Sequence, residues 1–78
     1  ARRLQGARLA SLTERERQVL AALSDGETTS AIAVELGISP ATVQTHVKNI
    51  LGKLEVHSQV EAVGAAWRAG LALSSRSA

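Results

Sequence analysis

Residues 28–54 read TTSAIAVELGISPATVQTHVKNILGKL, and the punctuation inside this stretch decides the fold. Gly37 stops an apolar-periodic run at a point where a left-handed residue is cheap. Two residues on, Ser39-Pro40 supplies an N-cap side chain followed by proline at the first helical position, where a missing N–H orphans nothing. Before the break, Ile32, Ala33 and Leu36 share one helical face. After it Val43, Val47, Ile50, Leu51 and Leu54 do, leaving Ala41, Gln44, Thr45, Lys48 and Gly52 on the opposite face. A helix over about 28–36, a three-residue turn and a helix over about 40–54 have the spacing of a helix-turn-helix. In that arrangement Ala33 lets the two helices approach, Ile38 plugs the gap beneath the turn and Val43 anchors the later helix to the earlier one.

Working outward, Thr13-Glu14-Arg15-Glu16 forms a capping box that opens a helix carrying Val19, Leu20 and Leu23 on one face. Glu16 falls on that same face, so the cap or a nearby Arg must satisfy its carboxylate. Asp25-Gly26 ends the helix. A second capping box, Ser58-Gln59-Val60-Glu61, opens a last helix that closes at Gly70, with Leu71 placed for a C-terminal hydrophobic contact. The sequence therefore predicts an all-α fold of four helices, at about 13–24, 28–36, 40–54 and 59–69. These occupy a domain over residues 12–73, after a basic linker or tail at 1–11 and before a frayed C-terminus at 74–78.

Composition agrees and excludes much else. Of 78 residues fourteen are Ala and ten Leu, with no Phe, Tyr, Met or Cys, an inventory for close-packed helices around one small core. Without cysteine there is no disulfide framework or thiolate metal site, and His46 and His57 are too few for a zinc cage. Nothing calls for a cofactor. No Ser, His and acidic set has triad logic and no glycine-rich phosphate loop is present, so an enzyme is not expected. Apolar runs are too short for a membrane span or signal-peptide core, which predicts a cytoplasmic protein without a membrane partner. The chain lacks an initiator Met, and Ala1-Arg2-Arg3-Leu4-Gln5-Gly6 reads as the end of a linker, so a domain of a longer protein is expected.

Charge alone does not argue for nucleic acid. The formal net charge is +2, but Arg2, Arg3 and Arg8 of the tail supply it and the domain over residues 12–73 sums to −2 (five basic against seven acidic residues). The case rests on geometry. With its apolar stripe held down, the third helix projects Gln44, Thr45 and Lys48, side chains able to read base edges in a major groove. A merely solvated polar face is the competing reading, and a helical module that docks on another protein is the alternative function.

The run Leu12-Thr13-Glu14-Arg15-Glu16-Arg17-Gln18-Val19-Leu20 continues as Ile32-Ala33, Leu36-Gly37-Ile38-Ser39, Thr42-Val43, His46-Val47-Lys48-Asn49-Ile50, Lys53-Leu54 and Ala62-Val63. In order and spacing it resembles the LuxR-type (GerE-like) helix-turn-helix domain over about residues 12–72. Region four of a sigma factor shares the Leu-Thr-x-Arg-Glu opening and the Ile-Ala and Thr-Val pairs, but not the His46 to Leu54 stretch or the fourth helix. The resemblance implies a bacterial transcription regulator that binds double-stranded DNA, with an N-terminal regulatory domain missing here; RNA polymerase is a further contact expected from the low charge of the helical module. It implies that the third helix enters the major groove and that the fourth pairs two copies as a homodimer.

Carried over by residue, the resemblance puts Gln44, Thr45 and Lys48 at the base-facing positions. Thr28, Thr29, Ser39, Thr42, Asn49 and Lys53 fall on or near the phosphate-contacting flanks. Gln44 stands where Lys is common in the family, which removes a charge and raises the share of hydrogen-bond readout. Thr28-Thr29-Ser30-Ala31 lacks the Lys and Glu usual at that helix start, and Gln59 replaces the usual Arg and its ion pair. Blander roles compete. Lys53 equally suits a cap on the helix C-terminus through the macrodipole, Asn49 a local backbone bond, His46 a packing and hydrogen-bonding role beside the stripe, and the tail arginines simple solubility. His57 has no assigned role.

On the fourth helix Ala62, Val63, Ala66 and Ala69 suffice to cover the core. Val60, Gly64 and Trp67 widen the apolar arc beyond that need, and a lone Trp beside a Gly suits a small interface between two copies. The alternative is that Trp67 folds back over a core built from small alanines.

Overall fold

The computed structural model describes residues 8–69. Four helices follow in order, α1 (Glu14–Ser24), α2 (Thr29–Leu36), α3 (Pro40–Leu54) and α4 (Gln59–Arg68), after a single helical turn at 8–10; the described residues contain no strand. The expected fold class and helix order hold. Thr13 and Thr28 lie one position outside their helices because they serve as N-caps. Gly70, Leu71 and residues 74–78 of the expected C-terminal cap and tail, with Arg2 and Arg3, lie outside the described residues.

Local chemistry explains each helix start. At α1 both bonds of the capping box form: the Glu16 N–H donates to Thr13 Oγ1 at 3.1 Å and the Thr13 N–H to Glu16 Oε1 at 2.9 Å. At α4 Ser58 Oγ accepts the Glu61 N–H at 3.2 Å, but no return bond from the Glu61 side chain forms, so the second box is half made. Thr28 and Ser39 each accept an N–H at 3.1 Å at the starts of α2 and α3.

Three helices end in one way, on a residue in the left-handed region. These are Gly26 (φ 86°), Gly37 (φ 69°) and Glu55 (φ 57°), and in each case the next N–H reaches back to the helix, from Glu27 to Ala22 O, from Ile38 to Ala33 O and from Val56 to Leu51 O at 3.0–3.1 Å. This closes the last turn and folds Ile38 and Val56 against the core.

Leu20, Ile32, Ile50, Val19 and Val43 are the largest fully buried side chains, each contributing roughly 1.5–3 kcal/mol by leaving water. α3 packs against all three other helices, and α1 does the same, whereas α2 and α4 do not meet. The third helix is thus gripped from three directions along its apolar stripe, which leaves one side of it open.

Two expectations about the core change. On α4 Ala65 is buried together with Ala62 and Ala66, whereas Ala69 is exposed; it follows the last helical residue, where the chain turns off the core. At the other end Leu9 joins the core cluster, although the sequence assigns residues 1–11 to a basic linker or tail. The helical turn at 8–10 directs this leucine inward and Arg8 toward Glu55, with Nη2 3.3 Å from Oε1. No helix among the described residues is long and apolar enough to cross a membrane.

Candidate nucleic-acid interface

The open side of α3 carries the residues singled out from the sequence. Val43, Val47, Ile50 and Leu54 are buried and Gln44, Thr45 and Lys48 are exposed. At 3.6 residues per turn, Ala41, Gln44, Thr45, Lys48 and Gly52 span an arc of about 100°, and Asn49, Thr42 and Lys53 follow along one side of it. Ala41 and Gly52 keep this face low, so an approaching surface meets backbone height at its ends and longer side chains between them.

The hydrogen-bond state of each side chain limits what it offers. Thr45 Oγ1 donates to the Ala41 carbonyl at 3.1 Å, so its hydroxyl proton is used and its methyl and lone pairs remain. Ser39 Oγ and Thr42 Oγ1 lie 2.9 Å apart in a mutual bond at the mouth of α3. Gln44 and Lys48 make no hydrogen bond or ion pair among the described residues, so both present their full donor sets outward. Thr28 is exposed, Thr29 half-buried and Asn49 exposed; the first two sit at the start of α2, apart in sequence from the others.

Lys53 has a role that neither of its two sequence readings named. Its ammonium donates to Glu16 Oε1 at 2.8 Å, across from α3 to the N-terminus of α1. Glu16 is 4% exposed. Burial pushes its carboxyl upward, but the bond from Lys53, the Thr13 N–H and the Lys53 charge outweigh that and hold it below the usual glutamate range. The buried carboxylate therefore finds its cation in a lysine of α3, where the sequence suggested an arginine. No pattern within α1 points to that partner, since the two residues meet only once the helices pack.

His46 is half-buried beside the stripe, but its Nδ1 is buried with no hydrogen-bond partner among the described residues, so at that nitrogen its contribution is packing alone.

On α4 Val60 is 81% and Trp67 49% exposed, so Trp67 does not fold fully over the core. Gly64, between them on the same stripe, is half-buried. A Cβ placed there would stand 3.4 Å from the Arg68 guanidinium, so that side chain already lies over the glycine. Val34 on α2 is 83% exposed and was not singled out from the sequence; the only signal was its absence from the inward set of that helix.

Comparison with known proteins points one way. Residues 10–66 match the family described as bacterial regulatory proteins, luxR family. The chain is 45% identical over 67 residues to the transcriptional regulatory protein FixJ of Azorhizobium caulinodans, covering 86% of this chain and 32% of that protein. It is 48% identical over 59 residues to the transcriptional regulatory protein UhpA of Salmonella typhimurium (76% and 30%), and 46% identical over 52 residues to the transcriptional regulatory protein DesR of Bacillus subtilis (67% and 26%). The chain thus spans about a third of the length of such curated relatives. No solved structure matches it at a significant level.

Proposed function

The chain belongs to the luxR family of bacterial regulatory proteins, and from that premise we propose that it binds double-stranded DNA in sequence-specific transcription control, with α3 in the major groove. Membership carries the coarse function, DNA-binding regulation. The finer reading is supported by one observation above the rest: α3 is held by all three other helices along its buried stripe, while Gln44, Thr45 and Lys48 stand exposed on its opposite face. A helix so gripped presents side chains at fixed positions, which base readout requires.

In this reading Gln44, Thr45 and Lys48 face base edges. Thr28, Thr29, Ser39, Thr42 and Asn49 line the flanks near phosphates, and Lys53 adds charge there while bonded to Glu16. Two copies pair through Val60, Gly64 and Trp67 of α4 on a two-fold-related site. The chain works as the output domain of a longer regulator whose N-terminal domain senses the signal, and RNA polymerase is a further contact. It carries out no chemistry of its own.

The test is selection of binding sites from a random duplex pool at two salt concentrations. A recovered inverted repeat bound in both supports the reading. Weak binding without sequence preference that disappears as salt rises rejects specific recognition by this chain, and binding to a partner protein that survives salt would favour the docking-module alternative.

A further inference from the structure

We propose that the half-site read by this chain contains an adenine and a guanine one or two base pairs apart, the adenine recognised by Gln44 and the guanine by Lys48. This rests on the major-groove reading above and extends it to the identity of the bases.

The argument starts from donor and acceptor inventories. Gln44 carries a carboxamide, one acceptor oxygen beside two N–H donors, exposed and unbonded in the structure. Adenine is the base whose major-groove edge shows an acceptor, N7, beside a donor, N6–H, so a single amide plane satisfies both. Against guanine, whose N7 and O6 both accept, the amide oxygen would face an acceptor. Lys48 carries donors only, and guanine offers two acceptors side by side, whereas adenine would set its N6–H against the ammonium.

Spacing ties the two readings together. Gln44 and Lys48 are four residues apart on α3, on one face about 40° apart in azimuth, with a rise of about 6 Å. Base pairs stack at about 3.4 Å, so the side chains reach edges one or two steps from each other. Thr45 does not compete as a discriminating donor, because its hydroxyl proton is given to Ala41 O. Lys53, the other cation of α3, is engaged by Glu16, so Lys48 alone supplies a free ammonium on this helix.

Two reciprocal substitutions test this in the same selection experiment, with circular dichroism as the control for folding; both side chains are exposed, so the core is untouched. The unaltered chain should return a half-site with the adenine and guanine so spaced, and exchanging either base should weaken binding by roughly 5- to 150-fold. Gln44→Lys should replace the adenine by guanine and leave the other position alone. Lys48→Gln should replace the guanine by adenine. A recovered motif that lacks this pair, or that stays the same in both variants, overturns the assignment while leaving DNA recognition by α3 standing. Absence of any recovered motif from the folded, unaltered chain overturns both together.

Discussion

The ammonium of Lys53 and the carboxylate of Glu16 meet at 2.8 Å across 37 residues of sequence, joining the end of α3 to the first turn of α1. The same Glu16 oxygen accepts the Thr13 N–H, so one buried atom closes a helix cap and clamps the exposed helix from behind. Its folded pKa lies below the usual glutamate value. Stability from this carboxylate is therefore fully present above about pH 4.3, the ordinary glutamate value, and is lost as pH falls through the lower folded value. Urea unfolding across pH 3 to 7 should show Glu16→Gln less stable than the unaltered chain at neutral pH, with the gap narrowing as acid protonates Glu16. Parallel curves over that range would show that the charge contributes nothing.

Gly37 and Glu55 occupy the same left-handed conformation at the ends of α2 and α3, one with a residue suited to it and one without. No atom lies within 4 Å of a Cβ built on Gly37, so Gly37→Ala tests backbone conformation alone and should cost about 1–2 kcal/mol, with more for the β-branched Gly37→Val. Glu55→Gly should run the other way. Relief of the left-handed strain outweighs an ion pair to Arg8 that is mostly exposed on the Glu55 side, for a net gain of about 0.5 kcal/mol. Melting temperatures of the three variants decide the matter; an unchanged Tm for Gly37→Val would contradict the assigned turn.

The two lysines of α3 should separate function from folding. Lys48→Ala removes an exposed side chain with no partner among the described residues, so Tm should hardly move while specific DNA binding weakens by about 1–3 kcal/mol and the preferred sequence changes. A uniform loss over all sequences would make Lys48 a phosphate contact instead. Lys53→Ala strands a buried carboxylate and should lower stability by about 1–3 kcal/mol, leaving the preferred base sequence as it was.

What was legible in the sequence follows from how local each signal is. Thr13, Ser39-Pro40 and Gly37 act within one helical turn, and each sits where the sequence placed it. The exposed set on α3 was readable from the 3.6-residue period. Glu55 was not readable as a left-handed cap because no glycine marks it. Ala65 was passed over because an alanine-rich helix blurs its own apolar face: Ala62, Ala65, Ala66 and Ala69 differ only in angle, and packing selects among them. Neither the Lys53–Glu16 pair nor the Arg8–Glu55 pair was foreseen, since each joins side chains that only the tertiary fold brings together.

The exposed stripe of α4 allows one more decision. Val60 and Trp67 are seven residues apart, hence on the same face, and both are open to solvent, with Gly64 between them beneath Arg68. If this stripe pairs two copies, Trp67→Ala should weaken binding to a two-half-site duplex more than to a single half-site, by roughly tenfold or more, the loss typical of a buried aromatic anchor. The part of Trp67 that is covered adds some stability, so Tm should fall modestly as well. Measuring both duplexes with one protein preparation separates these effects, because a folding defect lowers the active fraction equally for each. An equal loss on the two duplexes would assign Trp67 to the core and leave α4 without a pairing role.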